Sequence, residues 1–356
     1  MIRSDKVAAH CLRSGFRLCL ALFGFLWLGI SLLSSAVWAQ SAKLIEDAKK
    51  EGEVVWYTSQ LDDVGYNESR KAFTEKYGVK LTIVSGASGG VYQRLAQDMQ
   101  MGAARADVLS TATVGHFIDL KKQGQLVRYV PENLAKLDPA FRNYGDDNYY
   151  QPTVFTLLAI AYNTNKVSDA EAPKSWKELL DPKWQGKIAM GHPGFSGTIA
   201  EWAATMVKLY KWDYFETMNK RSPLIGRSVN DGITSIVSGE RLVTPTLASS
   251  ALASSNQGNP IRLSYPEDGA VLVIQPSAIL KTAPHPNAAK LLMEFLLDRE
   301  FGRIAMQSGM AATVMDAPMV AGLKKMSEMK FLAQSPQESL DGTALVISKW
   351  QGTFGQ

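Results

Sequence analysis

Hydroxyls, amides and glycines in short turns are the residue types here that could do chemistry, and what they suit is holding an anion. Two turns stand out. Ser85-Gly86-Ala87-Ser88-Gly89-Gly90 follows a β-branched run and opens a segment with Val91, Leu95 and Met99 on one face. His192 to Ser196 follows a short apolar run and leads into a second helical segment at Thr198. A helix start offers unpaired N–H groups and the positive end of the helix dipole, so both places would suit a carboxylate, phosphate or phosphonate. The glycines of the first turn could equally serve only to shape a strand-to-helix connection. A nucleotide-binding P-loop does not fit, because the closing Gly-Lys-Ser/Thr is missing.

Other chemistries find less support. His116, His192 and His285 are too far apart to resemble a HExxH metal motif. His192 could face a ligand, or it could be a structural loop histidine beside Pro193. No Gly-x-Ser-x-Gly elbow and no convincing carboxylate pair is present, and the serines lack an obvious base. The expectation is a non-enzyme without cofactor or bound metal. Trp176, Trp184, Trp202 and Trp212 sit in helix and strand patterns, which points to core rather than to an aromatic ligand wall.

The first 39 residues read as a secretory leader. Arg3, Lys6, Arg13 and Arg17 precede an apolar run from Leu18 to Leu33, and Val37 and Ala39 stand at −3 and −1 of a cleavage point. The run is slightly short of the roughly 20 residues needed to span a bilayer. Cys11 and Cys19 would leave with the leader, and neither lies in a lipoprotein cleavage context. The remaining 317 of the 356 residues would then hold no disulfide and no thiolate metal site, but would suffice for two lobes. The leader carries four of the 38 Lys/Arg and one of the 34 Asp/Glu, so the balance beyond it is +1. No basic stripe argues for nucleic acid.

Strand and helix patterns alternate from the start. Residues 42–51 are amphipathic, Glu53–Ser59 and Val79–Val84 are strand-like, and Asn67–Tyr77 is helical. Strand, helix, strand in this order implies parallel pairing. Further strands are expected at 106–109, 149–156, 157–163, 187–191, 242–247, 261–264 and 271–280. Helices are expected at 114–123, 198–210, 212–220, 229–237, 249–257, 299–307, 319–330 and 339–350, with another capped by Asn287. Ser175 with Glu178, Thr198 with Glu201, and Ser228 with Asp231 have the spacing of capping boxes.

Leu157–Val167 reads LLAIAYNTNKV, a strand ending in Tyr162-Asn163. Pro173, Ser175, Trp176, Leu179, Leu180, Asp181, Pro182, Trp184, Gly186, Lys187 and Ile188 follow it. Together these resemble the extracellular solute-binding proteins that feed ABC importers, in the branch that includes ferric-ion, phosphosugar, phosphonate and thiamine binders. The resemblance implies an α/β, type II periplasmic-binding-protein fold, two α/β lobes joined by crossing hinge strands. Lobe 1 would comprise 40–152 and the segment 271–356, which returns through a hinge strand and adds C-terminal helices; lobe 2 would be 153–270. Both chain ends would belong to lobe 1. The resemblance also implies a periplasmic monomer that takes a small-molecule ligand, favoured to be a small organic anion, and presents it to a membrane ABC permease. It gives Asp107 a structural role.

In such a binder each lobe supplies one wall, and ligand-facing loops follow the carboxyl ends of parallel strands. That rule selects Thr58, Ser59, Gln60, Ser88, Gly89, Gly90, Thr111 and Thr113 from lobe 1. From lobe 2 it selects Ser196, Gly197, Thr198, Arg227, Ser228 and Ser249. Arg227 could be a bidentate anion partner or a solvated surface arginine. Ferric iron is the alternative ligand. Ferric binders of the branch carry adjacent tyrosines after the lobe-2 strand placed here at 242–247, where this chain has Thr246-Leu247-Ala248-Ser249-Ser250. Tyr149-Tyr150 is expected to pack at the hinge, leaving Tyr57 and Tyr92 as the tyrosines nearest the cleft.

Overall fold

A computed structural model describes residues 42–103, 105–142, 144–145 and 147–355. The expected leader lies outside the described residues. Strand and helix alternate through α1 (42–51), β1 (Glu53–Thr58), α2 (Asp63–Tyr77), β2 (Lys80–Ser85), α3 (Ser88–Gln100), β3 (Val108–Ser110) and α4 (Gly115–Lys122). β1 lies parallel to both β2 and β3. α2 starts earlier than its apolar periodicity suggests, because the Asp62 side chain accepts from Gly65 N–H and caps it.

The two patterns at 149–156 and 157–163 form one strand, β4 (Gln151–Asn163), buried along its whole length. A second group follows: β5 (Ala189–Gly191), α5 (Gly197–Tyr210), α6 (Asp213–Asn219), β6 (Leu224–Gly226), α7 (Val229–Val237), β7 (Val243–Leu247), α8 (Ala248–Asn256) and β8 (Ile261–Ser264). β9 (Ala270–Ile279) returns antiparallel to β4. α9 (Pro286–Leu296), α10 (Arg299–Gln307), β10 (Ala311–Ala312), β11 (Phe331–Leu332) and α11 (Pro336–Phe354) complete the described chain. β9 joins β3 through Val108, Leu109 and Ser110, while β4 pairs with β7 and β8 through Leu158 to Asn163. The two long strands therefore connect two bodies. One core holds Trp56, Phe73, Phe295 and Phe301; the other holds Trp176, Trp184, Trp202, Phe215 and Trp350. Pro276 lies within β9, opposite Pro152 of β4, and the register shifts between Pro152 and Val154.

Several local expectations change. Ser175 Oγ does accept from Glu178 N–H (3.2 Å), but it opens only a 3-10 turn, Lys177–Leu180, and the Glu178 carboxylate takes Lys174 N–H. Ser196, not Thr198, caps α5. Asn287 lies inside α9, where its N–H and side chain donate to the Glu51 carboxylate at the end of α1. Residues 319–330 form turns with one 3-10 turn, Met326–Glu328, and Gly322 at φ +82° breaks any helix there.

The largest correction concerns the carboxyl end. α11 is not part of the first body's core. It lies along α5, and Trp350 packs in the second core against Phe215 (ring centroids 5.5 Å apart). A Cβ on Gly342 would meet Ala204 of α5 at 2.8 Å, so the helices touch at backbone distance there. At its other end α11 reaches α4, where Leu340 covers Gly115. Ser339 Oγ donates to the buried Glu201 carboxylate, and Gln334 Nε2 donates to Glu201 O (3.2 Å) and Thr205 Oγ1 (2.7 Å).

Asp107 has the structural role expected of it. Fully buried before β3, it accepts from Val55 N–H (2.7 Å), His285 N–H (2.7 Å) and His285 Nδ1 (2.9 Å). It ties β1 to the segment entering α9. Asp107→Ala would strand these donors, at about 1–3 kcal/mol for each buried group left unsatisfied. The expected result is a loss of about 3 kcal/mol or more in urea unfolding. A loss under about 1 kcal/mol would contradict that role.

Candidate ligand-binding cleft

β1, β2 and β3 end on the same side, so the loops after them converge. Ser59 Oγ lies 2.9 Å from Ser88 Oγ, and Ser88 Oγ accepts from Ala112 N–H (3.3 Å). Across from them stands the start of α5. A Cβ built on Gly197 would lie 3.1 Å from Thr113 Oγ1, 3.7 Å from Ala112 Cβ and 3.9 Å from Ser88 Oγ. Ser59, Ser88, Thr113, Ser196, Gly197 and Thr198 are thus brought together, with the α3 and α5 starts on opposite walls. The first N–H groups of each helix have no intrahelical acceptor and carry the positive dipole end. Ser196 Oγ takes Ile199 N–H (3.4 Å). Gly89 and Gly90 are exposed in the first turn of α3, with nothing within 4 Å of a built Cβ.

Other predicted residues serve elsewhere. Thr58 Oγ1 accepts from Gln60 N–H (3.1 Å) and shapes the loop. Thr111 Oγ1 is 3.1 Å from His116 Nδ1, and that ring stacks on Tyr92 at 4.0 Å. Burial lowers His116 to about 4, so it is neutral at pH 7. Ser228 and Asp231 do form a capping box at α7, which occupies the Ser228 hydroxyl. Arg227 is exposed and lies 4.9 Å from the Phe195 ring centre, a cation over an aromatic face. His192 Nδ1 accepts from Gly194 N–H (2.9 Å), and its ring packs on Phe195 and Trp350.

Behind these loops the crossing strands form a polar floor that the loop rule missed. Trp56 Nε1 donates to Ser110 Oγ (2.7 Å), Ser110 meets Ser277 (2.6 Å), and Ser277 meets Thr153 (2.8 Å). Gln60 Nε2 closes the chain by donating to Thr153 Oγ1 (3.0 Å) and Gln275 O (3.1 Å). Gln275 Nε2 points at Met310 Sδ (3.7 Å), and the neighbouring Gly309 meets Ser249 of α8, whose Oγ would be 3.1 Å from a Cβ there. Gln60, Thr156, Gln275 and Ser249 are all under 5% exposed. Among the described residues, Gln60 Oε1, Thr156 Oγ1, Gln275 Oε1 and Ser249 Oγ have no hydrogen-bond partner. The signal for this floor was present in the sequence: a strand buried on both faces should be apolar, and Thr156 and Gln275 interrupt such runs.

The tyrosines offer little to a ferric ion. Tyr57 and Tyr92 donate to Asp98 and Asp119, and burial followed by those carboxylates raises both phenols. Tyr150 packs with Phe117 and Tyr144 in a hydrophobic cluster, and Lys121 lies over the Tyr149 ring. β7 and α8 fall where expected, so the tyrosine-free Thr246–Ser250 stretch does lie at the strand end. A cavity of about 640 Å³ between α7 and α8, lined by Ile233, Val237 and Ser254, contains none of the predicted site residues.

Two α/β bodies joined by two long strands, with polar loops facing each other at the junction, define a two-lobed binding protein. Residues 105–335 match the bacterial extracellular solute-binding proteins, and the chain belongs to that family. It is a solute-binding protein of the ABC-importer type. A Salmonella typhi protein named as a candidate 2-aminoethylphosphonate-binding periplasmic protein is 27% identical over 285 residues, 76% of this chain and 78% of that one. Two solved structures share the fold. AfuA of Actinobacillus pleuropneumoniae with fructose-6-phosphate bound has a TM-score of 0.74 at 23% identity, covering 85% of this chain and 99% of that one. Iron-bound HitA of Pseudomonas aeruginosa has a TM-score of 0.74 at 22% identity, with the same coverage.

Proposed function

We propose that this protein captures a small organic phosphonate or phosphate in the periplasm, between lobes 40–152 and 153–270, and closes around it for delivery to an ABC permease. The carrying observation is the pair of opposed helix starts, α3 at Ser88 and α5 at Gly197, with Ser59 and Thr113 beside them. A tetrahedral oxyanion has several acceptor oxygens, and these walls present N–H and O–H donors to it. The Salmonella typhi relative supports the same class. The committed phenols of Tyr57 and Tyr92 and the absence of tyrosine at Thr246–Ser250 stand against ferric iron. α11 joins the second lobe in this scheme, and residues outside 153–270 and α11 form the first. Arg227, exposed at the lip, would guide the anion rather than grip it.

Calorimetric titration with phosphonates, sugar phosphates, aromatic acids, thiamine and ferric citrate tests the class. One of the first two groups should bind. Each hydrogen bond to a charged group is worth about 1.5–3 kcal/mol. The double substitution Ser59→Ala with Ser88→Ala should therefore weaken that ligand about 100-fold or more. Unchanged affinity would remove the site from these loops, and a visible charge-transfer band with ferric citrate would favour iron.

A further inference from the structure

We infer that the loop between β10 and β11 holds a soft monovalent cation of the Cu(I) class through the thioethers of Met315, Met319 and Met326. This site shares no residue with the anion walls proposed above, and the two stand or fall separately.

Six of the 13 methionines of the chain lie between 306 and 329, so the residue type is concentrated in one segment. Core filling does not explain the part of it beyond β10. Methionine serves a core by fitting irregular gaps, but residues 315–330 are turns and coil with one 3-10 turn. Met315 is 57% exposed, and Met319 and Met326 are half-buried.

One cavity of about 470 Å³ gathers these three side chains. Its inner side is the buried Phe141–Phe155 ring pair, with centroids 4.9 Å apart. The backbone around it is pinned at three places. Met315 N–H donates to Lys136 O (2.9 Å), and Lys324 N–H donates to Tyr265 Oη (3.3 Å). Between them, a Cβ on Gly302 would meet Ala317 Cβ at 2.4 Å, so α10 holds that residue at backbone distance. The loop is thus fixed, while each methionine side chain has three rotatable bonds and can turn its sulfur onto an ion.

The donor atoms select the ion. A thioether is neutral, polarizable and soft, which suits Cu(I), whereas carboxylate and carbonyl oxygens suit Mg, Ca and Mn. Among the described residues no group of three or more His, Cys, Asp or Glu could hold a metal ion, so no harder site competes there. Asp138 also lines the cavity; its Oδ1 accepts from Ala140 N–H (2.9 Å), and its carboxylate supplies a countercharge. Lys325 is the opposing cation, but it is exposed, where water and salt screen it.

Silver nitrate, a redox-stable stand-in for Cu(I), is titrated by calorimetry in chloride-free buffer, and Cu(I) itself is competed against a colorimetric chelator. One equivalent of silver should bind through these residues and raise the melting temperature by mass action. Each of Met315→Leu, Met319→Leu and Met326→Leu should weaken it about 10-fold or more, because even outer-shell partners of a metal are worth about 10- to 100-fold. The triple variant should lose it. Leucine for methionine conserves volume, so the fold survives, and melting curves without metal verify this. Met101→Leu, at an exposed methionine outside the segment, should leave the affinity unchanged. A thioether has no proton to lose, so the affinity should be the same at about pH 5.5 and 7.5, unlike that of a histidine site. Equal silver binding by wild type and the triple variant overturns the site. So does displacement of silver by an equal concentration of zinc nitrate, or silver binding that falls with pH as imidazole protonates. Anion binding should be unaltered in the triple variant, which keeps this test apart from that of the cleft.

Discussion

Gly197→Leu should weaken ligand binding by roughly 10- to 100-fold while leaving the melting temperature of the unliganded protein almost unchanged. The reason is where Gly197 sits. A Cβ there is already within 3.1 Å of Thr113 Oγ1, and Ala112 and Ser88 are close behind. A leucine would have to enter the space in which the two walls meet. Forcing bulk into a packed site costs about 1–3 kcal/mol, which is about 10- to 100-fold in affinity. That cost applies only when the lobes are together. In an open form the leucine would face solvent, so stability without ligand is spared. Gly197 is not among the positive-φ glycines, so backbone strain does not confuse the comparison. Gly197→Ala is the graded control: one methyl against a hydroxyl that can rotate should cost less. Calorimetry reads the affinity, and small-angle scattering with and without ligand reads whether the leucine variant still contracts. Wild-type affinity in the leucine variant would mean that α5 and the Thr113 loop do not approach on binding.

Much of this architecture was legible because the sequence obeys simple periodicities. β1, β2 and the helix between them, α2, carry β-branched and i, i+4 patterns that read directly as strand, helix and strand. The two helix starts were legible for a related reason: Ser88 and Ser196 to Thr198 combine small residues with turn positions ahead of helical patterns. The polar floor was not, because Gln275 and Thr156 lie in strands where the apolar run dominates and a single polar residue looks like noise. Their meaning comes from Gln60, 215 residues from Gln275, which no local pattern connects. α11 was misplaced for a similar reason. Its helical character is local, but its partners, α5 and the Trp202–Phe215 core, are far away in sequence. Glu201 was read as the second half of a cap because its spacing from Thr198 permits one. The competing partner, Ser339, lies 138 residues further on.

Glu201 supplies the other large effect. Burial raises its carboxyl from 4.5 to about 7, with the Ser339 hydrogen bond opposing the shift in part. The side chain is in the second turn of α5, one turn beyond Gly197, and only 8% exposed. A carboxyl whose folded pKa is raised keeps its proton in the folded state after the unfolded chain has released it. Its burial is therefore harmless below about pH 4.5, becomes progressively costly between 4.5 and 7, and levels off above that. Across this window the penalty amounts to about 3 kcal/mol. Glu201→Gln keeps an acceptor for Ser339 and removes the charge. The variant should match wild type at pH 4 and exceed it by about 3 kcal/mol at pH 8. Taking the difference between the two proteins cancels the other shifted groups, notably Asp107 and His116, which titrate in both. Urea unfolding at the two pH values measures it, and parallel stability curves would show that Glu201 does not carry the burden. The physical point reaches the site itself. Glu201 and Ser339 join α5, the helix proposed as one ligand wall, to α11, and α11 also touches α4 through Leu340 on Gly115. A charge set into that joint works against the anchor of the helix whose start is proposed to meet the ligand, so the glutamine variant should also hold α5 more firmly at neutral pH.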